Sequence, residues 1–160
     1  MLFPFAYTVP INPPSASPML TKDEVWSGLI KKARRAQDYI PIIDHCEIVS
    51  EDKDGLVRDV NIKPGFFMPE GLVREEVKWV EKVRLDYTIK GDSPRSIVNL
   101  LSEGGGEGEL YLTFIFEFNK DVEPGSQEEA DTWALYHAGA KKSVEHTVKI
   151  IREKKAQELL

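Results

Sequence analysis

Cysteine is almost absent from this chain of 160 residues, which contains Cys46 alone. An internal disulfide is therefore impossible, and the sequence predicts a reducing, cytoplasmic compartment. Histidine is scarce as well: His45 lies beside Cys46, and His146 is far along the chain. The sequence has no zinc-like cluster, phosphate-binding loop or dinucleotide fingerprint, so we expect neither a metal nor a cofactor.

Long apolar runs and an excess of positive charge are also missing. No stretch of about 18 apolar residues occurs, so we expect no membrane span. The net charge of −6 argues against nucleic-acid binding and against docking on anionic membranes. The first residues, MLFPFAYTVPINPP, lack the positive start of a cleaved signal peptide. The length and the hydrophobic content of 41% fit a single domain, residues 1–160, with its own core.

Most of the chain reads as strands, with apolar residues recurring at every second position. The predicted strands cover residues 3–11, 46–50, 56–63, 72–81, 83–90, 95–102 and 109–119. Short turns join the last six, which implies an antiparallel sheet. Thr21 and Glu24 form a capping-box pattern, which predicts a helix from there to about residue 37, with room for a break into two short helices.

The last quarter of the chain, residues 126–160, is predicted to be one long amphipathic helix. Its expected buried stripe is Ala130, Trp133, His137, Ala140, Val144, Val148 and Ile151. Such a stripe must lie along a partner, and the preceding sheet is the only one of sufficient length. A curved sheet around a long helix leaves a hollow between the two layers. We expect that hollow to be a pocket, with the first half of the helix as its roof.

The element order and four segments resemble a known family. The segments are GLVRDV (55–60), VRE (73–75), VNLLSEG (98–104) and GELYLTF (108–114). The chain resembles the START-like superfamily, also called SRPBCC, and within it the mostly fungal family typified by acetylaranotin biosynthesis protein L. The resemblance implies an α+β helix-grip fold, in which a curved antiparallel sheet of about seven strands wraps around a long C-terminal helix. It also implies an apolar ligand cavity.

Two opposite charges stand out on adjacent predicted strands. Arg58 and Glu75 are the polar exceptions on strand faces that are otherwise apolar. If these strands form a hairpin, the two side chains lie directly or diagonally across from each other on the concave side. They could form an ion pair that satisfies itself, or a charged anchor or acid–base pair for a ligand. An adjacent guanidinium favours the ionised carboxylate, so Glu75 would act as a base rather than an acid.

The final helix supplies a third candidate catalytic residue, His137, which could shuttle a proton near neutral pH. The alternative is a core or pocket-edge histidine. Trp133 and Tyr136, on the same half of the helix, are predicted to form an aromatic wall of the pocket. Plain core packing is the alternative for both.

Five further residues are predicted to contact the ligand. Asn99 is a polar residue in an apolar strand and could orient a ligand or bond across the sheet. Phe114 and Phe116 share the inner face of the last strand, and Trp79 shares a face with Glu75. Phe67 lies in a loop that could close the cavity mouth as a lid, although loop aromatics usually fold back onto the protein.

These candidates predict a protein that binds a small hydrophobic molecule in an internal cavity. One hypothesis is a cofactor-free cyclisation, isomerisation or dehydration in secondary metabolism. A second is a non-catalytic carrier for a lipid or metabolite. A third is an interaction module with a collapsed cavity and its function on the surface.

Overall fold

The computed structural model describes residues 1–64, 70–90 and 94–160. Within these ranges it contains seven strands, two α-helices and one short 3-10 helix. In chain order these are β1 (Leu2–Pro10), α1 (Lys22–Arg34), the 3-10 helix (Ala36–Asp38), β2 (Ile43–Glu51), β3 (Gly55–Ile62), β4 (Gly71–Val80), β5 (Arg84–Ile89), β6 (Arg95–Glu103), β7 (Leu110–Asn119) and α2 (Gln127–Ala156).

All seven strands form one antiparallel sheet in the order β1-β7-β6-β5-β4-β3-β2. Strands β2 to β7 follow each other as a meander, and β1 joins the far edge beside β7. Alternation places one residue in two on the inner face, as in β7, where every second residue from Leu110 to Phe118 is buried. The predicted α+β helix-grip architecture is confirmed.

Helix α1 begins with the predicted capping box. The Thr21 hydroxyl accepts a hydrogen bond from the Glu24 backbone N–H (3.2 Å), and the Thr21 N–H donates to Glu24 Oε2 (2.7 Å). These bonds satisfy two amide groups that the first helical turn leaves unpaired. The helix ends at Arg34, and the chain continues as the 3-10 helix before it enters β2. Its buried face includes a charged residue, Lys32.

Helix α2 packs mainly along β1 and β7. Its buried residues are Thr132, Tyr136, Gly139, Ala140, Val144, Thr147, Val148 and Ile151. The predicted stripe is therefore correct from Ala140 onward. In its first half Trp133 is half-buried against the core, but the prediction is wrong for Ala130 and His137, which are exposed. Tyr136 takes the buried position instead, and its ring packs within 5.5 Å of the rings of Phe3, Phe5 and Phe118.

A close contact joins the two helices at Gly28, where α1 faces Ile151 of α2. A Cβ added to Gly28 would lie 2.6 Å from Ile151 Cγ1, so only glycine allows this approach. Within the described ranges, neither helix is long and apolar enough to cross a bilayer.

Candidate functional site

A cavity of about 720 Å³ lies between α2 and the sheet. We call it the α2 cavity. Its floor is Ile97 of β6 with Phe114 and Phe116 of β7, and one side is residues 39–42, which follow the 3-10 helix. Helix α2 covers it with Leu135, Ala138, Gly139, Lys142, Ser143 and His146, among other residues. Leu135 and Ala138 are exposed, so the cavity reaches the surface along this edge of α2.

Lys32 of α1 reaches the α2 cavity from the protein interior and is 4% exposed. Its Nζ donates a hydrogen bond of 2.7 Å to Asn99 Oδ1 on β6. The same nitrogen lies 4.4 Å from the ring centre of Phe114 and 5.1 Å from that of Tyr87. The sheet thus surrounds the amine with one amide oxygen and two aromatic faces, which is the environment of a cation–π contact.

Burial lowers the pKa of Lys32 to about 7. Desolvation is the largest cause, since an ammonium group removed from water is less favourable than the neutral amine. The guanidinium of Arg58 lowers the pKa further, and the carboxylate of Glu75 opposes this by raising it. At neutral pH, Lys32 therefore occupies both the protonated and the neutral form.

Several polar atoms of the described residues are buried without a hydrogen-bond partner. They are Asn99 Nδ2 and the Tyr87 hydroxyl, on two residues that contact Lys32, and the Tyr39 hydroxyl and Gln37 Oε1. Burial raises the pKa of Tyr87, and it raises that of Tyr39 to about 12, so both phenols stay protonated donors. Buried polar groups are paired in most folded proteins, so each of these exceptions calls for an explanation.

Arg58 lies directly opposite Glu75 in the register of β3 and β4. Arg58 Nε donates to Glu75 Oε2 at 2.7 Å, and Nη2 lies 2.5 Å from the same oxygen. Arg58 Nη1 donates to the carbonyl oxygens of Lys32 (3.1 Å) and Ala33 (2.7 Å). The two charged side chains are 2% and 3% exposed and do not line the α2 cavity. Through these hydrogen bonds, the pair links the last turn of α1, which carries Lys32, to strands β3 and β4 of the sheet.

The structure brings two of the predicted ligand contacts to the cavity, where Phe114 and Phe116 form its floor. Asn99 does not line the cavity and instead accepts the hydrogen bond from Lys32. Trp79 is half-buried elsewhere, and its Nε1 donates to the Lys53 carbonyl at 3.0 Å. Phe67 lies outside the described residues.

The predicted residues on the first half of α2 lie away from the cavity. Trp133 packs on Phe3, with ring centres 4.8 Å apart, and Tyr136 belongs to the same aromatic cluster under β1 and β7. His137 is exposed, 5.7 Å from the Trp133 ring and 6.1 Å from Phe5. The expectation that these three residues roof the pocket is corrected. The roof is the neighbouring strip of α2 that begins at Leu135 and Ala138.

Lys32 was missed by the sequence reasoning, although a signal for it exists. Val25, Leu29 and Lys32 are spaced by four and three residues, which puts the lysine on the buried stripe of α1. A charged residue at such a position is unusual, because lysine is rarely buried without a partner. Within residues 1–64, 70–90 and 94–160, no group of three His, Cys, Asp or Glu side chains could hold a metal ion.

A seven-stranded antiparallel sheet, a long C-terminal helix and a cavity between them define a protein of the helix-grip fold. The family model for acetylaranotin biosynthesis cluster protein L matches residues 5–158, and the chain belongs to this family. The protein of that name from Aspergillus terreus (strain NIH 2624 / FGSC A1156) is 28% identical over 151 residues. This match covers 92% of our chain and 88% of the relative.

Solved structures share the fold at low sequence identity, and two di-domain ARO/CYC proteins are among them. One is the di-domain ARO/CYC StfQ from the steffimycin biosynthetic pathway, with a TM-score of 0.70, 9% identity and 98% of our chain covered. The other is the di-domain ARO/CYC BexL from the BE-7585A biosynthetic pathway, with a TM-score of 0.68, 11% identity and 95% covered. Our chain spans about half of each, 52% and 49% respectively.

Proposed function

We propose that this protein binds a small hydrophobic molecule in the α2 cavity and catalyses its cofactor-free cyclisation, isomerisation or dehydration in secondary metabolism. The observation that carries the proposal is a cavity of about 720 Å³ with one buried amine at its inner end. Ligand sites commonly have about 300–1,000 Å³, mostly apolar walls and a few placed polar groups. Membership of a family named for a biosynthesis cluster, and the fold shared with two ARO/CYC proteins, support this function.

The polar end of the cavity suits a ligand with a carbonyl or enolate oxygen. Such an oxygen near Lys32 would accept a hydrogen bond from Nζ and another from the unpartnered Asn99 Nδ2. Because Lys32 occupies both protonation states near pH 7, it can donate or accept a proton in a neutral solution. These are the transfers that dehydration and enolate-driven cyclisation require.

The residues first predicted to be catalytic take different parts in this proposal. Arg58 and Glu75 act as positioning groups, because they fix the turn that carries Lys32 and set the charge beside it. His137 has no part, because it is exposed on another side of α2. The hydrophobic contacts come from Phe114 and Phe116.

A second candidate function is a non-catalytic carrier that uses the same cavity. The observation that favours it is the separation of the Arg58–Glu75 pair from the cavity lining, which leaves Lys32 as the buried lining residue with a pKa near neutrality. An open volume of this size does not support an interaction module with a collapsed cavity.

Binding can be tested with 1-anilinonaphthalene-8-sulfonate, an anionic dye with apolar aromatic rings whose fluorescence rises in an apolar site. The chain offers a matched pair of variants on α2. Ala138 and Ala134 are both exposed, one turn apart, but only Ala138 lines the α2 cavity. We expect one dye per wild-type chain, at least ten-fold weaker binding in Ala138→Trp, and unchanged binding in Ala134→Trp. Equal binding by both variants, or no binding by the wild type, would contradict the proposed site.

A metabolite that the protein retains can distinguish an enzyme from a non-catalytic carrier. Native mass spectrometry of freshly purified protein gives the mass of the bound metabolite, and the extracted compound is then incubated with wild type or Lys32→Met. Loss of water, or a new retention time at the same mass, with the wild type alone would support an enzyme. A compound that is bound but returned unchanged by both proteins would support the carrier.

A further inference from the structure

Lys32 is an amine held at the inner end of an apolar cavity, and this places a nucleophile where the ligand binds. Its Nζ is fixed by Asn99 Oδ1 at 2.7 Å and faces the ring of Phe114, which is itself part of the cavity floor. A nucleophilic lysine in proteins is commonly one that is desolvated in an apolar pocket or set beside another cation. Lys32 has both features, since Arg58 lies behind it.

We propose that Lys32 forms a reversible imine with an aldehyde or ketone ligand of the α2 cavity. This inference rests on the proposed function, because it names the ligand class of the same site as hydrophobic carbonyl compounds. The neutral Nζ attacks the carbonyl carbon, a C–N bond forms, the C=O electron pair moves to oxygen, and one proton passes from nitrogen to that oxygen. The C–O bond of the carbinolamine then breaks as the nitrogen lone pair forms C=N, and the second nitrogen proton leaves with the hydroxyl group as water, so amine and carbonyl give imine and water.

The geometry supports each of these steps. The attacking nitrogen must be a neutral amine. Lys32, with a pKa of about 7, is neutral in about half of the molecules at pH 7, whereas an ordinary lysine is neutral in about one molecule in 2,500. The unpartnered Asn99 Nδ2 and Tyr87 hydroxyl are donors that can hold the departing oxygen. An imine would polarise the neighbouring carbon, which is what a cyclisation between two carbon atoms needs.

The pH dependence of the reaction depends on the charged and titratable groups that surround the lysine. The groups around Lys32 and across the cavity are Arg58, Glu75 and Tyr87 from the sheet, Tyr39 from the segment before β2, and Lys142, Glu145, His146 and Lys149 from α2. Of these, Arg58 and Glu75 are the charges that act on Lys32 and partly cancel each other. The expected profile therefore has one main step near pH 7.

The test uses 2-naphthaldehyde as the carbonyl probe and sodium cyanoborohydride to reduce any imine to a stable amine. Peptide mapping by mass spectrometry then locates the adduct. We expect at least ten-fold more adduct on Lys32 than on any other lysine at pH 7, half-maximal labelling near pH 7, and none at this position in Lys32→Met. Lys31→Met, which changes the adjacent and more exposed lysine, should leave labelling of Lys32 intact.

Displacement of the anilinonaphthalene dye by 2-naphthaldehyde separates the two proposals. If the aldehyde displaces the dye from both wild type and Lys32→Met but the adduct is spread evenly over surface lysines, the imine is refuted and the binding site stands. If the aldehyde and the dye both fail to bind, both proposals are overturned. Should Lys32→Met not fold, the distribution of the adduct in the wild type decides the question by itself.

Discussion

Replacing Lys32 with methionine should make the protein more stable at neutral pH, and the gain should shrink as the pH rises. The pKa of this lysine falls from 10.5 to about 7 on burial. Between these values the unfolded chain binds more protons than the folded one, so wild-type stability increases with pH across this window. At 1.36 kcal/mol per pH unit, the cost of Lys32 to the fold is about 4 kcal/mol at pH 7 and about 2 kcal/mol at pH 9.

Methionine has a similar length and carries no charge, so Lys32→Met removes this cost. It also leaves Asn99 Oδ1 without its donor, a loss of about 1–3 kcal/mol that does not depend on pH. We therefore expect a net gain of roughly 1–3 kcal/mol at pH 7 and a gain near zero at pH 9. The loss of the Asn99 hydrogen bond is the same at both pH values. It therefore does not affect the difference of about 2 kcal/mol between the gains in unfolding free energy at pH 7 and pH 9.

Urea denaturation followed by tryptophan fluorescence at pH 7, 8 and 9 measures these free energies of unfolding. Lys31→Met is the control, because Lys31 lies in the same turn of α1 but is only half-buried. Its free energy of unfolding should follow the wild type across the pH range. A stability difference between Lys32→Met and wild type that is the same at pH 7 and pH 9 would refute the lowered pKa, and with it the chemical argument for this residue.

Two further substitutions test other parts of the fold. Gly28→Ala should destabilise the protein by about 1–3 kcal/mol although alanine favours helices, because its Cβ would lie 2.6 Å from Ile151 Cγ1. Thermal unfolding measures the stability of Gly28→Ala. Adding Ile151→Ala to the same chain should relieve the strain that the new Cβ introduces. If Gly28→Ala is more stable than wild type, the two helices are farther apart than in this structure. Tyr87→Phe should leave stability unchanged or raise it by up to about 1 kcal/mol, because its buried hydroxyl has no partner to lose. A loss of more than 1 kcal/mol in urea denaturation would mean that the hydroxyl is paired.

The sheet could be predicted from the sequence because its alternation is strict. The inner positions of β3 and β4 are apolar apart from Arg58 and Glu75, so one register places the two charges together. The first half of α2 was predicted less well, because two stripes satisfy helical spacing there. One passes through Trp133 and His137, and the other passes through Tyr136. Contact with the aromatic inner face of β1 and β7 determines which stripe is buried. Helical periodicity alone does not reveal that contact.

The cavity itself could not be placed from periodicity. One of its sides is the irregular segment 39–42, whose position depends on where α1 ends and on how the 3-10 helix turns the chain. Lys32 was overlooked for a related reason. A lysine is normally exposed, and its burial here depends on Asn99 and Tyr87, which lie far away in sequence and meet it only in the folded protein.

An arginine–glutamate pair lies directly behind the buried lysine. A buried ion pair is weak evidence for stability by itself, because desolvation offsets much of its attraction. Arg58, however, donates to the carbonyl oxygens of Lys32 and Ala33, so it holds the turn that aims the amine. Its charge also favours the neutral form of that amine, while Glu75 limits the effect. Under the proposed function, the GLVRDV and VRE segments that carry the family resemblance thus supply the support and the electrostatic setting, and the reacting group comes from α1.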